Sequence, residues 1–160
     1  EISDVGNFHV YLLLGVAYMD LQDWANCETA ARYAMHLQPL DVAGYRMAAI
    51  ARLNQDKTYD AAVLDVAIVT LQPHRADVWN ELAFCFQRLG LQPVPITRTD
   101  ANFALDDTQP VARNMINDAA VLLVRQLADA RQFEMARVYQ QDFVRRLRVP
   151  AESFPKLPRE

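Results

Sequence analysis

The chain repeats itself with a period of thirty-four, and this regularity limits its fold more than any other feature of the sequence. Leu37-Gln38-Pro39 returns as Leu71-Gln72-Pro73. Tyr11, Tyr45 and Trp79 keep the same spacing, as do Leu14, Ala48 and Leu82, and Gly15, Ala49 and Ala83. Each interval reads as two apolar helices joined by a short polar turn and closed by a Pro-containing break. The turns are Leu21-Gln22-Asp23, Asn54-Gln55-Asp56 and Leu89-Gly90-Leu91-Gln92. A period in this range marks an array of small units, none of which can bury its apolar face alone.

The residue types follow from helix packing. Tyr11, Leu14, Gly15 and Tyr18 fall at i, i+3, i+4 and i+7, one face of an α-helix. Glycine inside a helix costs about 1 kcal/mol relative to alanine, so Gly15 needs a packing reason. A backbone without Cβ lets the second helix of the unit cross closely, and Ala49 and Ala83 serve that purpose less completely. Cys27, Ala31 and Ala34 supply the small facing surface. Pro39 and Pro73 cannot continue a helix, since they lack the N–H and clash with the preceding turn. Pro93 and Pro95 fit the opening turn of the third unit's second helix, where the missing donor does no harm.

In these columns the chain resembles the tetratricopeptide repeat (TPR) family, whose first helix carries an aromatic, then Leu-Gly, then Tyr, and whose second helix closes on Pro. The first unit is similar nearly throughout, at Tyr11, Leu14-Gly15, Tyr18, Trp24, Cys27, Ala31, Ala34 and Pro39. The second keeps Tyr45, Ala48, Ala49, Ala61, Ile68 and Pro73 but has Arg52 in place of an aromatic. The third keeps Trp79, Leu82, Ala83, Phe86 and Leu89-Gly90, while its second helix is degenerate around Asn102-Phe103-Ala104-Leu105. A further pair, Val111 to about Ala130 and Phe133 to about Val149, reads as a divergent capping unit with Phe133, Ala136 and Phe143 near the expected columns. The resemblance is strong over residues 8–90 and weaker beyond. It implies an all-α fold: a right-handed α-solenoid of about three TPR-like units plus the divergent C-terminal pair. The solenoid occupies residues 1–149. The tail, 150–160, holds Pro150, Pro155 and Pro158 and is expected to be extended, with Phe154 and Leu157 as potential anchors.

The resemblance also implies that the first helices line a concave groove. The columns that would face it are Leu12, Val16 and Met19, then Arg46, Ile50 and Leu53, then Asn80, Phe84 and Gln87, with Arg88 continuing after Asp20 and Asn54. Val16, Ile50 and Phe84 would form an apolar strip, and Arg46, Asn80 and Arg88 polar anchors suited to acidic groups. Packing against the next unit is the competing use for any one of these residues. A contiguous apolar patch normally marks an interaction site. The family's Lys/Asn clamp for C-terminal carboxylates is absent, since Leu12 and Val16 stand where it would place polar residues.

Composition narrows the function. The net charge of −4 opposes a general nucleic-acid binder, which needs Lys and Arg to displace counterions from phosphate. The arginines at 137, 145, 146 and 148 read as a solvated face beside Asp142. No apolar run approaches the ~20 residues of a membrane span. His9, His36 and His74 are scattered, Asp106-Asp107 reads as a solvated helix end, and no Gly-rich phosphate loop is present, so neither an enzyme site nor a metal or other cofactor is expected. Cys27 and Cys85 read as small buried thiols, pointing toward a reducing, cytoplasmic setting. The start at Glu1 suggests a piece of a larger protein, which leaves open a periplasmic or membrane-associated complex. The leading expectation is a protein–protein interaction scaffold that holds a peptide or partner subunit, within a larger protein or multi-subunit complex. The alternative is a stand-alone chaperone of a secreted protein, similar to type III secretion chaperones, and an RNA-binding helical repeat is the less favoured reading. Replacing Trp79 by Ala should cost about 3–5 kcal/mol in denaturant unfolding, because the aromatic column joins neighbouring units.

Overall fold

The computed structural model describes residues 2–91 and 109–159. The described residues form α-helices joined by tight turns, with no strand among them: α1 (Ile2–Asp20), α2 (Trp24–Leu37), α3 (Val42–Leu53), α4 (Thr58–Leu71), α5 (Ala76–Arg88), α6 (Pro110–Asp129) and α7 (Phe133–Arg146). The helix starts keep the sequence period. Trp24 and Thr58 lie one repeat apart, as do Val42 and Ala76. From α1 through α5, each helix packs on the one before it.

The turns share one device. Gln22, Asp56 and Gly90, spaced one repeat apart, take positive φ values of 55°, 60° and 71°, and Arg131 repeats the conformation at 60°. After each, an N–H reaches back to a carbonyl in the last turn of the helix: Asp23 to Tyr18 (2.8 Å), Lys57 to Arg52 (3.0 Å), Leu91 to Phe86 (2.9 Å) and Gln132 to Leu127 (2.9 Å). This is the Schellman closure, in which a left-handed residue lets the chain cap the helix carbonyls and reverse. Only Gly90 adopts that conformation without steric cost. Asp23 and Asp41 then cap the next helices by accepting from the Asn26 and Ala43 amides.

Repeated polar anchors tie the aromatic column to the proline breaks. The Tyr45 hydroxyl donates to the Pro39 carbonyl at 2.7 Å, and one repeat later the Trp79 indole donates to the Pro73 carbonyl at 2.8 Å. Both side chains are buried. Each bond satisfies a carbonyl left over where the preceding helix ends.

The glycines answer a packing need, and the partner at Gly15 differs from the one expected. An added Cβ at Gly15 would lie 1.9 Å from the sulfur of Met47, so α3, not the unit's own second helix, uses that space. Gly44 has the harder contact: a Cβ there would stand 3.0 Å from the Met35 backbone nitrogen and 3.3 Å from the Ala31 carbonyl oxygen. Here α3 comes against the main chain of α2.

The last pair departs from a simple continuation of the stack. The helix boundaries agree with the expected segments, but α6 packs along α4, touches the edge of α2, and carries α7 on its other side. Tyr59 on α4 donates to Asp118 on α6 at 2.6 Å. The α6 face turned inward is apolar: Ala112, Met115, Ile116, Ala119, Leu123 and Leu127 are all buried. The expected helix around Pro93, Pro95 and residues 102–105, and the Asp106-Asp107 pair, lie outside the described residues. The tail, expected to be extended, forms a short 3-10 turn at Ala151–Ser153 and then lies on the fold. Phe154 is 7% exposed, Leu157 packs on the core, and Arg137 donates to the Pro158 carbonyl.

Gly44→Ala should therefore lower stability by about 1–3 kcal/mol, since backbone atoms must give way. Gly15→Ala should stay within about 1 kcal/mol of the parent, because the flexible end of Met47 can turn aside and alanine favours the helix. Urea unfolding of the two variants tests the contrast.

Candidate functional site

The expected groove columns do not share one environment. Helix geometry sets Val16, Ile50 and Phe84 about 40–60° round from the flanking columns, Leu12–Arg46–Asn80 and Met19–Leu53–Gln87. Val16 is 46% and Phe84 47% exposed, with Ile50 partly exposed between them. The flanking columns lean toward the next helix. Leu12, Met19, Arg46 and Leu53 are half-buried, whereas Asn80 and Gln87 on α5 are exposed. Thus the middle column faces solvent, and on the flanks Leu12, Met19 and Leu53 pack against the core.

A depression of about 360 Å³ sits on this face, with Met19, Met47 and Ile50 among its apolar lining and Asp41, Arg46 and Arg75 among its polar lining. Asp41 and Arg75 are not among the residues that the repeat columns pick out. Both belong to interhelical turns, which a search along helical columns does not reach.

The two arginine anchors are already engaged. Arg46 pairs with Glu81 on α5, lies 3.8 Å from Asp65 on α4, and lies 3.8 Å from Asp77. Arg88 pairs with Asp56 at 3.3 Å and places its guanidinium 5.6 Å from the Phe84 ring centroid. That stacking favours a fixed ring, as a cation over an aromatic face is attracted by its quadrupole. Arg46 thus acts as a bolt between α3, α4 and α5.

Asp65 is the least expected member of this cluster. Its side chain is fully buried, and neither carboxylate oxygen accepts a hydrogen bond. Burial drives its pKa far above the ordinary carboxylate range, helped by Glu81, with Arg46 opposing. Held protonated, its hydroxyl has Glu81 to donate to, leaving Glu81 as the anion that Arg46 neutralises. Asp77, by contrast, is lowered to about 2 by its bidentate contacts with Arg75 at 3.0 and 2.9 Å. Burial also pushes the Cys85 thiol up to about 12 and raises Cys27, so both are kept as neutral thiols, neither in a disulfide.

A second concavity lies where α6 docks. About 740 Å³ opens between α2, α3, α4 and α6, with Arg32, Arg52, Tyr59, Asp118, Arg125 and Asp129 among its walls. Arg52 is held by Glu28 at 3.2 Å, and its Nη1 lies 3.8 Å from Asp60. Arg32 and Arg125 make no ion pair among the described residues. Nothing in the repeat period announces this cleft, because it depends on α6 packing against a helix far earlier in the chain.

Among the described residues, no group of three or more His, Cys, Asp or Glu side chains could hold a metal, and no helix is long and apolar enough to cross a membrane. No protein-family model matches the chain, and no curated protein or solved structure matches it.

The buried acid gives a pH test with a definite sign. A carboxyl whose folded pKa is raised stabilises most below its unfolded pKa, about 3.9, and loses that contribution as pH rises toward the folded value. Asp65→Asn should leave stability nearly unchanged near pH 4 and raise it by more than about 1 kcal/mol near pH 7, because asparagine takes up no proton on folding and a pKa displacement of one is worth about 1.4 kcal/mol. Thermal unfolding of both proteins across this range provides the comparison.

Proposed function

We propose that the chain is a TPR-like right-handed solenoid serving as a protein–protein interaction scaffold, a binding rather than catalytic module within a larger protein or complex. The reading rests chiefly on one observation: Val16, Ile50 and Phe84, one per repeat, keep solvent access on a shared face of α1, α3 and α5. A row of apolar side chains at unit spacing suits an extended or helical peptide carrying apolar anchors at a matching rise. The α1–α3–α5 side would then be the concave wall, with α6–α7 closing the fold from the other side. Since Arg46 and Arg88 are committed to carboxylates of the chain itself, the guest needs no acidic groups to meet them. Specificity would come from shape and from the polar rim at Asp41, Asn80 and Gln87. A stand-alone chaperone remains the alternative use of the same groove, and nucleic acid is disfavoured by the acidic balance.

The test begins with a partner co-purified with the chain and identified by mass spectrometry, then titrated against variants. Phe84→Ala should weaken binding at least about tenfold, the loss expected of a central aromatic anchor. Val16→Asp should do the same, while Val138→Asp on α7 should leave affinity unchanged. Arg46→Glu is unsuitable as a binding test, because it would set a third acid against Glu81 and Asp65 and unseat α5. Undiminished binding in both Phe84→Ala and Val16→Asp would remove the groove from consideration.

A further inference from the structure

The repeat register exposes an anomaly on α1. In α3, Gly44, Met47, Ala48 and Ala51 are buried, with Met47 reaching Gly15 on α1 and Gly44 lying against α2. In α5 the same positions are Val78, Glu81, Leu82 and Cys85; Val78, Leu82 and Cys85 are fully buried, and Glu81 is held by Arg46. In α1 they are Val10, Leu13, Leu14 and Ala17. These side chains face solvent, Val10 at 51%, Leu13 at 70% and Leu14 at 41%, and Leu21 extends the line at 75%. So α1 carries the apolar face by which its counterparts are seated, and none of the described residues is seated on it. The stripe runs about 16 Å along the helix, nearly opposite the Leu12–Val16–Met19 columns.

We infer that this face is the contact surface of a homodimer, in which α1 of one copy lies across α1 of a second. Three observations select that occupant. From Val5 to Met19 the helix has no Asp, Glu, Lys or Arg, so two copies meet without like-charge repulsion, and no charge is offered by which a partner of opposite sign would be selected. Second, no other patch among the described residues matches it. The remaining exposed large apolar side chains are Val16 and Phe84 in the groove, Tyr33, Val111, and the pair Met135 and Val138. A second copy using an equivalent apolar surface must therefore present the same stripe, which gives an isologous, two-fold contact. Third, the stripe complements itself. An antiparallel crossing centred between Leu14 and Ala17 sets each Leu14 over the second copy's Ala17 and each Val10 against the second copy's Leu21, large against small in the middle and apolar at both ends. Tyr33, 53% exposed and stacked on Tyr11 at 4.9 Å, flanks the contact.

Sedimentation of the full chain over a wide concentration range tests this. The expected result is a reversible species of twice the 18.2 kDa chain mass. Leu13→Glu should weaken the dimer by about a hundredfold, roughly tenfold for each copy of the side chain, because the two-fold places two substitutions in one interface. Leu14→Gln should weaken it in the same direction, and serves as the reading if Leu13→Glu fails to retain its helical circular dichroism. Val138→Glu and Phe84→Ala should leave the association constant as it is. A parent chain that stays monomeric at every concentration would overturn the inference; the stripe would then be a seat for another helix pair. A dimer that survives both α1 substitutions, or is broken by Val138→Glu or Phe84→Ala, would overturn it as well.

Discussion

The close approach of α3 to α2 at Gly44 controls what the rest of the structure can do. With the Met35 backbone nitrogen 3.0 Å from where a Cβ would sit, the two helices meet at a separation that any larger residue would force apart by a few tenths of an ångström. That contact, with the Tyr45 hydroxyl bonded to the Pro39 carbonyl, fixes the angle at which the second pair leaves the first. The third helix pair's start inherits the geometry through Trp79 and Pro73. Because each pair is seated on its predecessor, an error at Gly44 would pass to α5, and so to the spacing between Ile50 and Phe84.

Much of this architecture can be read from the amino acids, because repetition turns a tertiary question into a local one. The repeat columns locate α1 to α5, and the turn triplets fall where the chain reverses. One part of the turn signal is disguised. Gln22, Asp56 and Arg131 hold the same left-handed conformation as Gly90, yet only Gly90 announces it by residue type. The helix hydrogen bonds and the seating of the pair override the local preference of the other three. The docking of α6 onto α4 is of another kind. Tyr59 and Asp118 are separated by 59 residues, and no period connects them, so the pairing shows only in three dimensions.

The column proposed to line a groove is legible in the sequence, but the electrostatics around it are not. Val16, Ile50 and Phe84 follow from helical spacing alone. Arg46 reads in the sequence as an anchor waiting for an acidic guest, but its carboxylate, Glu81, stands on a different helix 35 residues on, one position beyond the repeat. The offset of one explains the error: repeat columns show which positions are equivalent, while ion pairs between units join positions that are not. Arg88 and Asp56 make the same point at a separation of 32 residues.

The Arg46–Asp65–Glu81 cluster also says how one interface in the chain is addressed. A protonated buried acid beside an ion pair adds little net stability compared with well-packed apolar residues, but it penalises any arrangement that leaves one member unpartnered. At the joint between the second pair and α5 that penalty specifies the neighbour, since Glu81 must find Arg46. Position 13, the counterpart of Glu81 in the first helix, is leucine, and no charge stands in for it. The seat on α1 is therefore without the electrostatic address that the internal joint carries. Burial there is favoured by area alone, which is non-directional, so orientation must come from the alternation of large and small side chains along the stripe. A self-complementary two-fold pairing meets that condition with the residues already present, whereas an unlike partner would have to supply the matching pattern from its own surface.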